Sequence, residues 1–545
     1  MDGLAYLAER HLLTSIVFLP LAGALALLLL EVSLTALSSS IQRFSALTWR
    51  VFGLVFALLG LALAAELWLL FDPAAGGLQL VEHAAWLGDW GVSYYVGVDG
   101  ISLLLVMLAA FLYPLALLAS WGEPSERARH LVVLLSALQT GLLGALLSLN
   151  LLTFFVFVEA SAVPVYFLVG LWSRRGSGAA TRYMRLSALG SALLLLGILL
   201  LGSLHAQQFG ATNFDLFGFG GAPGLIETEL DGAGPWWTAQ GFLFAAFAIA
   251  LFIKAGLFPL HFWTPDATVE SPPSASVLLA AVGLKLGAYG LVRFALPLFP
   301  LAAAAWAPWM CALGGLGALY AALLAVVQTD LERLVAYWSL SIMGLVCLGI
   351  FGLNPIALEG ALLQMVHHGL VIGGLLLLSG MLAQRRAISR LGELSGLAGS
   401  MPVFAAIFTL LLLSAAGTPL LGGFSAAWLI FLGAYPSAPW LAAAAILTLG
   451  LLAVFAFWLL GRALFGALPG GGGRQLAELD LREKLVACSV ALPVLWMGLS
   501  PMTFLGPVER SVGELLESMQ RRGAAGMESG PEAAAQPRPG RGAGN

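Results

Sequence analysis

Five residues in this sequence combine proton chemistry with apolar surroundings. Glu159 stands in FFVFVEASAVPVYF, Lys254 in ALFIKAGLFPLHFW and Lys285 in AAVGLKLGAYG, while His367 and His368 adjoin in LLQMVHHGLV. The chain has only three lysines, and two of them are in this set. A charge at the centre of a bilayer costs at least ~2.5–3.5 kcal/mol, so ionisable groups in such stretches are functional candidates. Burial disfavours a charged ammonium and a nearby carboxylate favours it. A Glu159–Lys254 pair, formed if the fifth apolar segment packs against the seventh, would hold a proton and release it when the carboxylate moves or is itself protonated. Lys285 is a second holder, and imidazoles suit onward transfer. Each residue also has a packing alternative. A lysine near a helix end can carry its ammonium to the interface, Glu159 can bond between helices, and either histidine can be a core residue.

The elements that must position these groups are membrane spans. Of 545 residues, 60% are hydrophobic and 10% charged, against about 25% charged in a soluble domain. A spanning helix needs roughly 20 apolar residues. Fourteen candidates follow, near 12–30, 50–71, 101–120, 129–148, 150–172, 184–204, 240–258, 274–296, 301–327, 334–352, 356–383, 402–434, 440–465 and 484–504. The fold class is therefore an all-α polytopic membrane protein of about fourteen transmembrane helices. Pro259 interrupts the seventh segment and Pro419 the twelfth; proline removes a helix hydrogen bond and clashes with the preceding turn. Aligned on those prolines, Lys254-Ala255 falls on Ser414-Ala415 and Leu260 on Leu420. Interrupted segments at matching places in two halves point to an inverted repeat, with the working site at the breaks. Broken helices also free backbone groups and admit water, so Lys254 reads as a proton site beside a helix break.

Charge gives the orientation. Arg43, Arg50, Arg127, Arg129, the Arg174–Arg185 group, Arg333, Arg385, Arg386, Arg390, Arg462, Arg474, Arg482 and Lys484 all fall in or beside alternate connections. The other connections, including the long 205–239 stretch, carry none, and Arg293 alone lies near their side. By the positive-inside rule the basic loops are cytoplasmic and both termini lie outside. The expected organisation is 1–128 for the first three helices, 129–299 for a first repeat, 300–466 for a second, 467–520 for a cytoplasmic loop, the last span and a short amphipathic end, and 521–545 for a disordered tail. Cys311, Cys347 and Cys488 lack metal or disulfide spacing and read as packing residues. The net charge of −4 indicates no partner. No nucleotide motif, metal cluster or nucleophile constellation is visible, and no nucleic-acid partner is expected.

The same stretches resemble a known family. FVFVEASAVPVYFLVGLW, FIKAGLFPLHFWTPDATVESPPSASVLLAAVGLKLGAYGLVRF, TDLERLVAYWSLSIMG and GALLQMVHHGLV are similar to the antiporter-like membrane subunits of respiratory complex I, the proton-pumping NADH:quinone oxidoreductase. VGVDGISLLLVML and the stretch from SGLAGSMPVFAA point to its NuoM (mitochondrial ND-four) type, over roughly residues 95–435. Only about 40 residues follow the last span, too few for the lateral helix of the NuoL type. The resemblance implies fourteen helices with two inverted five-helix repeats and broken seventh and twelfth helices. It matches Glu159, Lys254, Lys285 and His368 to the family's coupling glutamate, channel lysines and eleventh-helix histidine. It also implies no cofactor in this chain, with flavin, iron–sulfur clusters and quinone in partner subunits, and NuoL-, NuoN- and NuoK-type neighbours in a bacterial inner membrane.

Three positions depart from the family pattern. Ile342 in AYWSLSIMG and Thr268 in PDATVESP replace histidines, and Ala427 in GFSAAWLIF replaces a glutamate that serves as terminal proton site. The input half of the path is intact while the output half lacks two groups, for which His367 is a partial replacement. Three other readings remain: a Mrp-type cation/proton antiporter or membrane hydrogenase subunit, a structural membrane-arm subunit with an impaired exit, and a solute transporter. The last has no substrate-sized polar lining to support it.

Overall fold

The computed structural model describes residues 11–37, 44–173, 176–230, 238–386, 391, 394–465 and 476–528. The expected basic positions Arg43, Arg174, Arg175, Arg390 and Arg474, and the tail beyond 528, lie outside them.

Helices dominate because, in lipid, backbone donors and acceptors must be satisfied within the segment. In chain order they are α1 (Leu12–Leu37), α2 (Ala46–Leu70), α3 (Gly100–Ala119), α4 (Ala128–Leu147), α5 (Leu151–Trp172) and α6 (Gly178–Phe209). Then come α7 (Ala239–Ala255), the short α8 (Thr264–Glu270), and α9 (Pro273–Leu298). α10 (Pro300–Val326), α11 (Leu331–Ile350) and α12 (Pro355–Arg386) follow, then α13 (Pro402–Ala415) and α14 (Gly422–Ala434). The series closes with α15 (Pro439–Leu464), α16 (Leu481–Leu499) and α17 (Met502–Glu528). Among the described residues eleven helices are long and apolar enough to span a bilayer, or twelve if the α16–α17 pair, bent by 68°, counts as one. Fourteen were expected. The difference arises where the seventh and twelfth segments are each split into pieces too short to span alone.

Helix starts follow side-chain chemistry. Asn150, Thr238, Asp330 and Asp480 each accept a backbone N–H from the first turn of α5, α7, α11 and α16, which satisfies donors that have no partner within the helix. The core centres on α12. It touches α3, α9, α11, α13, α14 and α16, and its whole apolar stretch is buried, against 22% of that of α2. Large apolar side chains such as Leu69, Leu447, Val454 and Leu492 instead face outward, as a lipid-facing surface requires.

Two features were not expected. Residues Gln79–Leu87 and Val92–Val98 form an antiparallel hairpin, β1–β2. The end of the chain is also more ordered than a short amphipathic tail, since α17 runs on to Glu528. That helix lies against α3, α10 and α12. Its Ser511 accepts the Gly100 backbone N–H (3.0 Å), Glu514 accepts that of Gly77 (2.8 Å), and Arg522 donates to the carbonyls of Pro297 and Thr228. Of the cysteines, Cys311 and Cys347 are buried but Cys488 is exposed, so Cys488 is not the core packing residue expected.

Candidate functional site

α7 ends at a left-handed Gly256 (φ +63°). The Gly256 N–H bonds the carbonyl of Ile253, and the Leu257 N–H bonds that of Phe252, a paired closure that satisfies orphan carbonyls at a helix C-terminus. The chain then crosses residues 256–263, with Pro259 in the gap, before α8 resumes. Trp263 donates its indole N–H to the Ile253 carbonyl (2.9 Å). The break therefore leaves Lys254 on the last turn of a helix ending inside the protein.

The Lys254 ammonium donates to Glu159 (2.8 Å), Ser187 (2.7 Å) and Ser191 (3.0 Å). Ser191 also donates to the same carboxylate oxygen. The fifth and seventh segments thus meet through their side chains, while α6 packs on both α5 and α7 and supplies the two serines. Ser187 and Ser191 were missed in the sequence. Their signal was available, since two serines four apart share one helix face. Chemically, such a site can hold a proton, since each group keeps a partner whether the proton sits on nitrogen or on oxygen.

A cavity of about 30 Å³ lies beside Lys254. Ser161, Tyr183 and Ser187 line it on one side, and Leu279, Gly283 and Leu286 of α9 on the other. Its volume suits one or two waters, at about 10–15 Å³ each, between the Lys254 site and the helix of Lys285. The two helices approach closely because of Gly287: a Cβ there would lie 2.4 Å from both the Ala255 nitrogen and the Leu251 carbonyl oxygen.

Lys285 is wholly buried. It sits just after a π-helical turn, Leu279–Gly283, of the kind that recurs at functional sites in membrane and soluble helices. Its ammonium donates to the Ala280 carbonyl (2.9 Å) and to His368 Nδ1. With Lys285 protonated, its ammonium only donates, so Nδ1 accepts and the His368 proton is on Nε2, which faces Ser339 Oγ at 2.9 Å. Transfer from Lys285 to Nδ1 would make the imidazole cationic and let Nε2 pass a proton to Ser339. Three helices, α9, α12 and α11, thereby contribute one relay.

His367, the next residue on α12, points elsewhere. Its Nε2 lies 2.7 Å from Ser414 Oγ on the last turns of α13, and its buried Nδ1 has no protein partner. The segment 416–421, which contains Pro419, separates α13 from α14, and Gly417 takes the same left-handed conformation as Gly256 (φ +72°). The Gly417 and Thr418 N–H groups close onto Ser414 and Leu413, the same closure as at Gly256 and Leu257. By that closure Lys254 corresponds to Ala415, one residue beyond the Ser414 given by aligning the prolines. The proline comes one residue sooner in the second break. Gly423 fits against the Ser414 carbonyl, from which a Cβ would be 2.1 Å away. Ile342 and Ala427 are both buried and supply no polar atom. One further pair escaped the sequence reading: Asp99, which caps α3, is ion-paired with Arg293 of α9.

Comparison with known proteins identifies the family. Residues 148–453 match the family described as "NADH:quinone oxidoreductase/Mrp antiporter, TM", and residues 78–145 the one described as "NADH-ubiquinone oxidoreductase chain 4, amino terminus". The chain is 33% identical over 516 residues to NADH-quinone oxidoreductase subunit M of Rhodobacter capsulatus, covering 93% of this chain and 97% of the relative. It is 31% identical to NADH-ubiquinone oxidoreductase chain 4 of Marchantia polymorpha, covering 93% and 97%. Among solved structures, a chain of respiratory complex I from Thermus thermophilus with bound NADH superposes with a TM-score of 0.79 at 30% identity, covering 92% of this chain and 99% of that one. A chain of the Mrp complex from Dietzia sp. shares the fold, with a TM-score of 0.77 at 22% identity over 94% and 99% of the two chains. The chain belongs to the antiporter-like membrane subunits of NADH:quinone oxidoreductase, in the branch whose bacterial members are called subunit M and whose plant members are called chain 4.

Proposed function

We propose that this chain translocates protons as a membrane subunit of complex I, driven by quinone reduction in partner subunits and doing no redox chemistry itself. The observation that carries the reading is the Glu159–Lys254 ion pair at the end of a broken helix, with the Lys285–His368–Ser339 relay beyond it. In this reading Glu159, Lys254, Lys285 and His368 hold or pass protons, His367 stands at the exit side, and Pro259 and Pro419 mark the two breaks. The intended architecture is fourteen membrane passages, with two inverted five-helix repeats over 129–299 and 300–466. Both termini face outward from a bacterial inner membrane, and flavin, iron–sulfur clusters and quinone reside in partners.

Glu159 also supports the presence of neighbours. Its side chain is 32% exposed, and a carboxylate left facing hydrocarbon is costly. A neighbouring membrane subunit, of the NuoL, NuoN or NuoK type, would cover it. A second reading, a structural subunit with an impaired exit, is favoured by one observation: Ile342 and Ala427 are buried and apolar.

Two experiments test the proposal. Lys254→Ala in the assembled complex is expected to abolish most proton pumping coupled to NADH oxidation; normal pumping with normal assembly would remove Lys254 from the mechanism. Cysteine labelling is expected to reach positions near Arg385 from the cytoplasm and positions in 211–230 from outside, and the reverse pattern would invert the topology.

A further inference from the structure

On the side of the basic loops a cleft of about 410 Å³ opens between the α3–α4 connection, the start of α9, the start of α11 and the end of α12. Its lining is acidic. Glu123, Glu270, Asp330 and Glu332 contribute carboxylates, and Arg127 is the one basic side chain among its lining residues. Glu270 accepts from Ser173 and Asp330 caps α11, while Arg127 donates to the Leu171 carbonyl and lies over the Trp172 ring. These groups have structural employment. Glu123 does not fit that pattern.

Glu123 is 92% buried (8% exposed) and faces the cleft from its floor. One carboxylate oxygen, Oε1, accepts Ser274 Oγ–H at 2.7 Å and the Ser274 backbone N–H at 3.4 Å. The other, Oε2, has no hydrogen-bond partner. Beside it the indole N–H of Trp172 lies close enough to favour the charged form but does not complete a well-aligned hydrogen bond. Both buried atoms border the open polar cleft, from which water can reach them, and unpaired buried groups cost about 1–3 kcal/mol each.

The electrostatics are balanced near neutrality. Burial pushes the Glu123 carboxyl up to about 7, against the lowering effects of the Ser274 hydrogen bonds, Arg50 and Trp172. Arg50 donates to the backbone carbonyl of Glu123, not to its carboxylate, and Arg482 from α16 stands near enough to repel Arg50. No cation therefore clamps the carboxylate in its charged state.

Ser274 is the link inward. It lies in the first turn of α9, and Lys285 follows eleven residues later on the same helix, about 16 Å along its axis. Between them lies the π-helical turn. We propose that Glu123 is the uptake group for this half of the protein, loading protons from the acidic cleft at Oε2 and delivering them past Ser274 toward Lys285. One proton arrives from water at Oε2 and, once the carboxyl group turns, is donated to the Ser274 hydroxyl oxygen as that hydroxyl passes its own proton inward, so carboxylate and hydroxyl both return to their starting states and no net charge accumulates. This inference rests on the proton-translocating reading and names its point of supply.

The test uses the complete complex in sealed vesicles, with pumping and NADH oxidation measured from about pH 6 to 9. A carboxyl that titrates near 7 is loaded below that value and empty above it. The wild-type pumping rate should therefore fall as pH rises through about 7. Glu123→Gln should pump about tenfold more slowly at neutral pH, with that inflection gone, and Glu123→Asp should restore both in part. Infrared spectra should show a neutral carboxylic-acid band that titrates over the same range and is missing in Glu123→Gln. If Glu123→Gln fails to assemble, Ser274→Ala reads the same link and should shift the inflection and slow pumping. Unchanged pumping and an unchanged pH profile in an assembled Glu123→Gln complex would overturn the uptake role. Lys254→Ala run in parallel separates the two ideas: if it pumps normally while Glu123→Gln does not, the central route is wrong and the uptake site stands.

Discussion

At Gly256 and at Gly417 two helices stop in the same way, each closed by paired N–H bonds to the preceding turn. Each also has an indole close to its last carbonyls. Trp263 donates to Ile253, and Trp338 donates to Ala415 at 3.4 Å. Around the first stop lie a lysine, a glutamate and two serines. Around the second lie Ser414, Thr418, one imidazole and mostly apolar side chains, with Ala427 one turn beyond Gly423 on α14. The comparison separates two things that a break supplies. The backbone provides dipoles and room, and the side chains decide whether a proton can rest there. In this chain the first break has both, and the second has the backbone with a single titratable group.

The largest effect should come from disturbing the packing that both breaks need. Gly287→Val would force a side chain into the backbone of Ala255 and Leu251, and Gly423→Val into the Ser414 carbonyl. Each should cost at least the ~1–3 kcal/mol typical of overpacking, read as loss of the subunit from the purified complex. If Gly287→Val assembles normally, the close approach of α9 to α7 is not what holds the first site together. The next effect is functional. His367→Ala should lower pumping several-fold while Ser339 and His368 stay in place, because His367 is the one imidazole beside the second break; unchanged pumping would mean the second break is inert. The smallest effect should follow from Ile342→His combined with Ala427→Glu. If the exit is impaired, the proton-to-electron ratio should rise modestly. A fall in that ratio, with assembly intact, would show that the native residues belong to a working alternative path.

Much of this was legible in the sequence, for a physical reason. Intramembrane charge is expensive enough to be rare, so Glu159, Lys254, Lys285 and the two histidines stood out without any knowledge of contacts. The prolines located the breaks to within a residue, though the register between them needed the hydrogen bonds at Gly256 and Gly417. The serines were hidden because a hydroxyl is tolerated almost anywhere in an apolar helix; only the positions of Lys254 and His368 reveal which ones matter. Glu123 was hidden for the opposite reason. It sits in a loop, where a glutamate is unremarkable until the burial of its side chain is known. The pairing of His368 with Lys285, and of His367 with Ser414, likewise required the orientation of α12. Neighbouring residues on a helix point about 100° apart, so HH in the sequence gives no hint that one ring meets Lys285 and Ser339 and the other Ser414.

The last helix, α17, raises a matter of timing. Ser511 holds the start of α3 across 411 residues of chain, and Arg522 reaches back 294 residues to Thr228. A polypeptide emerges from the ribosome from its N-terminus, at about 5–20 residues per second, so Thr228 and Gly100 have waited some 15–80 seconds at such rates before their partners in α17 are made. Until then the Gly100 N–H and the Gly77 N–H have no such acceptor. Formation of α17 is thus registered at the start of α3 and in the connection before β1, and a product that stopped short of Ser511 would leave those two donors without these acceptors.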